Sequence, residues 1–337
     1  MFIEKERSYV FRSIDIDNLA KVFPSYSSNE MTTTYINDYY LNKNLRLRHL
    51  ENNYLLENKS DNKKEEGREE TSTKIDWPSF NLLRNKTKLI VNKKRRILHK
   101  ENNKFIVTVD IVSHPINILI VEVESLDGIT LPSLEDFFTG RKFATCPLSA
   151  WDYFKRKIAI CGAPSSGKTS TAQWLTNKIN TEFHGIAFCP IEYATSFIQK
   201  YDKYPNIHDQ YMIWESQNSR ERDALDKCNM VISDSPTFLS YVYGLLTSKD
   251  IDINDKNILL SKLYKRSLEG LYEYEQIFFL NLVRYKENGI RYNTEDEAIK
   301  IHDLIREFLE NHGIKFGDYT YNNKEQMLSD ILYLNEI

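Results

Sequence analysis

The chain is short of the residues that staple or punctuate small folds. Its four cysteines, Cys146, Cys161, Cys189 and Cys228, are scattered without C-x-x-C spacing. That pattern argues against a zinc site or a disulfide framework and leaves a reducing cytoplasm as the expectation, the host's if the source is viral. Only 11 glycines and 9 prolines occur in 337 residues, which excludes a collagen-like or Pro/Gly-rich disordered chain. No apolar run approaches the roughly 20 residues of a spanning helix. The opening MFIEKERSYVF carries acidic residues at once and no apolar core, so neither a transmembrane segment nor a secretory signal is expected. Charge of one sign is lacking too: 45 Lys and Arg against 48 Asp and Glu leave −3, which excludes a protein that coats nucleic acid by bulk charge. What remains is 41% apolar and 28% charged, enough for real cores. At roughly 100–200 residues per domain, the length suits two domains. The richness in Asn, Lys, Ile and Tyr is a bias of AT-rich genomes, phage among them, and carries no mechanism.

Two grammars divide the chain, with the change near Trp151–Arg156. Residues 1–150 show period-two stretches such as FIVTVD (105–110) and ILIVEVE (118–124), the signal of strands. The run KSDNKKEEGREETST (59–73) holds no large apolar residue and reads as a solvated loop or exposed hairpin. Across 151–337, buried five-residue runs (KIAIC, GIAFC, NMVIS, QIFFL) alternate with helical patterns such as Thr169–Ile179 and Thr294–Asn311. That alternation predicts a parallel sheet covered by helices on both faces.

The sharpest motif is Gly162-Ala163-Pro164-Ser165-Ser166-Gly167-Lys168-Thr169, followed by Ser170, which fits G-x-x-x-x-G-K-[ST] between a strand and a helix. Glycines let successive N–H groups turn toward phosphate oxygens, and the helix N-terminus adds its partial positive charge. Lys168 would reach the β- and γ-phosphates and Thr169 would hold Mg²⁺. NMVIS ends on Asp234, which either presents a carboxylate to metal or acceptor or caps the next helix ahead of Pro236. Arg284 and Arg291 lie in a polar segment with a glycine, a lid with catalytic cations or an ordinary surface loop. Glu192 would bind an acceptor hydroxyl or simply start a helix. Arg220 and Arg222 read as surface residues.

GAPSSGKTS, IEYATSFI, VISDSPTF, and YEQIFFL followed by NGIRY together resemble the ribosylnicotinamide-kinase-like family of AAA/P-loop proteins, over most of 157–320. The resemblance implies a five-stranded parallel sheet, ATP (or GTP) with Mg²⁺ in the loop, and a small hydroxyl-bearing acceptor near Asp234 and Glu192. Relatives often carry a basic residue after E-Y-A where this chain has Thr195, so ribosylnicotinamide itself is not carried over.

In residues 1–150, charged residues recur two apart: Glu4/Glu6, Arg46/Arg48, Lys93/Arg95 and Glu122/Glu124. On a strand such pairs share a face. They either point into a barrel, where cations grip phosphate and carboxylates hold metal, or line solvent faces paired across strands. The order IEKER, DYYLNKNLRLR, REETSTKI, KKRR, FIVTVDI and ILIVEVES is similar to the CYTH (triphosphate tunnel) superfamily. That resemblance implies a tunnel gripped by Arg46, Arg48, Lys59, Arg68, Lys93 and Arg95. It puts Glu4, Glu6, Glu122 and Glu124 on Mg²⁺ or Mn²⁺, with Asp110 late in the barrel. Ser8 stands where the family has lysine, which bears on hydrolysis more than on phosphate binding.

The expected fold is thus an α+β antiparallel β-barrel (tunnel) domain followed by an α/β P-loop NTPase domain with a parallel sheet. The leading expectation is a kinase acting on a nucleoside, nucleotide or nucleic-acid group, joined to a tunnel that binds and hydrolyses a triphosphate or holds another phosphorylated compound. The alternatives are a nucleotide-regulated phosphoinositide- or anion-binding module and a metal-dependent triphosphatase. Lys93-Lys94-Arg95-Arg96 is the one local basic run that speaks for nucleic acid.

Overall fold

The computed structural model describes residues 3–11, 33–61, 68–101, 105–115, 118–125, 145–146, 150–182, 187–248, 251–283 and 294–333. The chain divides into two compact units that meet in sequence between Lys155 and Arg156.

The first unit is an antiparallel sheet of β1 (Ile3–Phe11), β2 (Thr33–Tyr40), β3 (Leu45–Leu50), β4 (Asn53–Asp61), β5 (Arg68–Ile75), β6 (Leu89–Glu101), β7 (Phe105–His114), β8 (Ile118–Ser125) and the short β9 (Thr145–Cys146), with helices α1 (Trp77–Arg84) and α2 (Ala150–Phe154). The strand order is β5-β4-β3-β2-β6-β7-β8-β1-β9, and β5 also pairs with β1. Each of β1 to β8 therefore has a partner on both sides. The alternation that marked β7 and β8 as strands sorts their residues by face. Val107, Val109, Val121 and Val123 are buried on one side, while Thr108, Asp110, Glu122 and Glu124 take the other. β3 and β4 join through Glu51-Asn52, with Glu51 at φ 50°, the left-handed geometry that suits the twist of a tight hairpin. The charged run from Lys59 supplies the facing ends of β4 and β5, with Lys59 opposite Glu70. Of the two expectations it is the hairpin: Thr71, Ser72 and Thr73 are exposed, while Lys59 and Glu70 are half-buried and neutralise each other across the ladder.

The second unit is built on β10 (Arg156–Gly162), β11 (Ala187–Phe188), β12 (Met230–Ser233), β13 (Gln276–Leu280) and β14 (Gly317–Tyr319), all parallel, in the order β11-β12-β10-β13-β14. Helices α3 (Lys168–Glu182), α4 (Tyr193–Tyr201), α5 (Ile207–Lys227), α6 (Leu239–Leu246), α7 (Ile253–Leu271) and α8 (Glu295–Asn311) connect the strands, and α9 (Lys324–Tyr333) follows the last of them. β10, β12 and β13 are buried along their whole length, as strands covered on both faces must be. Ala159, Phe279, Phe238, Ile301 and Phe308 belong to one core cluster of this unit. Of GIAFC only Ala187–Phe188 is described as strand. The anticipated helix over 294–311 is capped by Thr294, whose side chain accepts from Glu297 N while Glu297 answers to the Thr294 backbone. Among the described residues, no helix is long and apolar enough to cross a membrane.

Candidate functional site: a phosphate loop facing a buried carboxylate

β10 delivers the chain into the loop at Gly162, which sits at φ 143°. A Cβ there would lie 2.5 Å from the Leu280 carbonyl oxygen of β13, so only glycine lets the loop leave the sheet at this point. Gly167 (φ 90°) returns the chain to α3, and Ser165 holds a left-handed conformation (φ 72°) at the crest. A non-glycine residue there costs on the order of 1–3 kcal/mol, and such strain gathers where a backbone is shaped for a ligand. Lys168 Nζ donates to the carbonyls of Gly162 (3.0 Å) and Ala163 (2.9 Å), folded over its own loop. Among described residues, the side-chain hydroxyls of Ser166 and Thr171 are buried without a hydrogen-bond partner.

Asp234 follows β12 directly and faces the loop. Its carboxylate is hydrogen-bonded by Thr169, and its Oδ1 is buried with no partner. Burial pushes its pKa above the usual carboxylate value, Glu192 adds to the rise, and Thr169 and Lys168 oppose it. Glu192 is the N-cap residue of α4, yet its side chain caps nothing; it accepts instead from Thr195 Oγ1 at 2.6 Å. Thr195, the departure in the sequence comparison, thus holds the second acid of the site. Lys168, Thr169, Glu192 and Asp234 all line one cavity of about 520 Å³. Beyond the loop its wall continues onto α4 and α5 with Tyr204, Gln210, Ile213 and Gln217, and closes on Tyr243 of α6. Sequence reasoning missed Gln210 and Gln217. They sit seven apart on one face of α5, a spacing visible in the sequence but indistinguishable there from any polar helix face. Arg284 and Arg291 lie outside the described residues. Arg222 is exposed and pairs with Glu273, whereas Arg220 binds the Ile191 carbonyl (2.8 Å) and stacks on Tyr193.

Thr169 and Asp234 suit a magnesium ion: a hydroxyl and a carboxylate already in contact, the latter with an oxygen to give. Among the described residues, no group of three His, Cys, Asp or Glu side chains is placed to hold a metal by itself.

The first unit holds a second cluster. Arg48 grips Asp38 with Nε and Nη2 (2.7 and 2.9 Å), and Arg46 donates to Glu57 (2.7 Å). Arg95 grips Asp110 in the same two-pronged way (2.7 and 2.8 Å), joined by Lys93, and also pairs with Glu122 and, at 3.6 Å, Glu124. Lys59 meets Glu70 at 3.2 Å. Asp38 and Asp110 are fully buried. Burial opposes their ionisation, but Arg48, Arg46 and Lys93 around Asp38, and Arg95 and Lys93 around Asp110, hold both carboxyls well below the usual range. Register sets Glu4 opposite Arg68, Glu6 opposite Glu124 and Ser8 opposite Glu122. The side chains of Glu4, Glu6 and Arg68 lie outside the described part. Asp38 and Glu57 escaped the sequence reading, because an isolated acid on a strand declares nothing until pairing sets it against an arginine.

Residues 157–325, slightly more than half of the chain, match a family model described as an AAA domain. No curated protein sequence matches. Solved structures similar to this chain include a NadR protein in complex with NAD and AMP-PNP (16% identity over 55% of this chain and 51% of that one, TM-score 0.43). A NadR protein in complex with NR is 17% identical over 55% and 53%, with a TM-score of 0.45. The chain thus spans about half the length of these NadR structures. A putative adenylate cyclase from Bacillus halodurans is 14% identical over 41% of this chain and 98% of its own, with a TM-score of 0.29.

Proposed function

The chain belongs to the AAA-domain family, and from that premise we propose that its second unit is an ATP-dependent kinase for a small hydroxyl-bearing acceptor, a nucleoside or nucleotide. The observation that carries this reading is Asp234: a buried carboxylate with one oxygen unpaired, lining the same cavity as the phosphate loop. Beyond its nucleotide, a nucleotide-hydrolysing switch needs room for water alone. Here the cavity, about 520 Å³ with the loop included, extends past the loop to residues of α4 and α5.

The backbone N–H groups of 165–169, past Pro164, which has none to give, would cradle the β- and γ-phosphates of ATP, or of GTP. Lys168 would exchange its two loop carbonyls for phosphate oxygens. Magnesium bound by Thr169 and Asp234 supplies neutralising charge to the phosphates. Asp234 and Glu192 would orient the acceptor hydroxyl toward the γ-phosphorus, and Asp234 would take its proton. Arg284 and Arg291 are the proposed cations for the migrating phosphoryl group. The test is phosphoryl transfer from labelled ATP to a panel of nucleosides, nucleotides and oligonucleotides. Absence of transfer to every member would sink the proposal.

We propose further that the first unit encloses a tunnel, of the CYTH kind, for a polyphosphate or similarly charged anion. What favours it is one sheet face carrying Arg46, Arg48, Lys59, Lys93 and Arg95, each held by a carboxylate. Acids behind the guanidinium forks would keep them aimed while phosphate oxygens displace the looser contacts. Phosphate release from tripolyphosphate that requires Glu4, Glu6, Glu122 and Glu124 and survives Lys168→Ala would assign hydrolysis to this unit. Binding without release would leave an anion-binding module.

A further inference from the structure

Beneath the cavity floor lies a carboxylate that the phosphate chemistry does not use. Glu221 of α5 is fully buried, yet it has four partners. Ser233 Oγ donates to it at 2.6 Å, Tyr274 Oη at 2.8 Å and Gln217 Nε2 at 3.4 Å, and Lys157 Nζ stands at 2.8 Å. Lys157, in turn, also reaches Glu273 at 2.8 Å. A buried charge is tolerated only when paired and hydrogen-bonded, so this set explains how Glu221 survives. It does not explain why an acid is there, since an apolar residue of similar size packs a helix onto a sheet equally well.

The partners' positions supply the reason. Ser233 is the residue before Asp234. Tyr274 Oη accepts from the backbone N–H of Thr237 at 2.9 Å, and Thr237 lines the cavity three residues after Asp234. Gln217 lines the cavity too, and its Oε1 accepts at 2.9 Å from the backbone N–H of Tyr193, next to Glu192. One carboxylate is thereby tied to the segment entering Asp234, to the segment leaving it, and to the residue following Glu192. A low-dielectric interior stiffens such a network, because no water competes for its bonds.

We propose that Glu221 is a positioning residue that fixes Asp234 and Glu192 against the phosphate loop. The proposal rests on the kinase reading of this site. It touches neither nucleotide nor acceptor and acts through the two chain segments that carry the acids.

The test separates positioning from mere packing by asking how much magnesium improves ATP binding. ATP is titrated calorimetrically into the full chain in Mg²⁺ and again in EDTA, for wild type, Glu221→Gln, Tyr274→Phe and Asn206→Ala. Glu221→Gln should cut the magnesium-dependent gain about tenfold, as outer-shell changes do, with metal-free ATP affinity unchanged. Tyr274→Phe, which deletes one hydroxyl, should shift the gain in the same direction by less, and it decides alone if Glu221→Gln does not fold. Asn206→Ala loosens the start of the same helix and should lower the melting temperature with the magnesium gain intact. If Glu221→Gln and Tyr274→Phe behave like Asn206→Ala, Glu221 is only a structural tie and the proposal is overturned. If wild type gains nothing from magnesium, the kinase reading itself fails and the proposal falls with it, a failure visible without any variant.

Discussion

Lys168 is held by the loop it would serve. Its ammonium rests on the Gly162 and Ala163 carbonyls, so phosphate replaces existing bonds instead of meeting a bare charge. Lys168→Ala should lower phosphoryl transfer by at least about 10²–10³-fold, the cost of losing one preorganised donor at developing charge, read as kcat in a transfer assay. Asp38 is the matching test in the first unit. Its carboxyl is held well below the usual range, so its contribution to stability is complete above the unfolded pKa of about 4 and fades as pH falls below that. Asp38→Asn should therefore destabilise by about 3–5 kcal/mol at pH 7, with Arg46, Arg48 and Lys93 left short of an anion, and by less at pH 3; denaturant titration at both values reads the difference. Residues of these two kinds were unequally legible. Lys168 and Thr169 announced themselves through fixed spacing, because phosphate geometry dictates it. Asp38 and Gln217 did not, since their meaning depends on what register and helix packing set opposite them.

Among elements, α5 does the most positioning, and its start is well defined. Asn206 accepts from the backbone N–H groups of His208 and Asp209, and Asp209 returns a bond to the Asn206 backbone. Asn206→Ala should cost about 1 kcal/mol in a thermal melt. The end of α7 is tighter. A Cβ on Gly270 would lie 2.3 Å from Thr237 Oγ1, so Gly270→Ala must push the cavity-lining turn after Asp234. That substitution should cost about 1–3 kcal/mol and weaken ATP·Mg²⁺ binding, whereas Asn206→Ala should spare binding. The continuous apolar runs of β10 and β13 and the helical period of α8 could be read directly from the sequence. β14 could not: Gly-Asp-Tyr has no apolar pattern, and only its pairing with Phe278–Leu280 makes it a strand.

At the scale of the whole molecule, both signs of charge are spent on two separate clusters, and for that reason a net of −3 revealed neither. The two should respond to ligands independently. ATP·Mg²⁺ at about 100 times its Kd should stabilise its unit by about 2.7 kcal/mol in wild type and Arg48→Ala but not in Lys168→Ala. Tripolyphosphate should show the reverse pattern, and calorimetric melts with each ligand would expose any cross-talk. The cyclic pairing of β1 to β8 carries a last consequence, for birth rather than function. β1 ends at Phe11, and its neighbour β8 begins only at Ile118. During synthesis the long edge of β1 that β8 covers stays bare while six other strands are made, with only its Ile3–Glu4 end able to meet β5 earlier, so closing the ring is a long-range event late in folding. An emerging chain of this sequence is most exposed to aggregation, and most in need of a chaperone, in that interval, and the finished sheet then hides the edges that made it vulnerable.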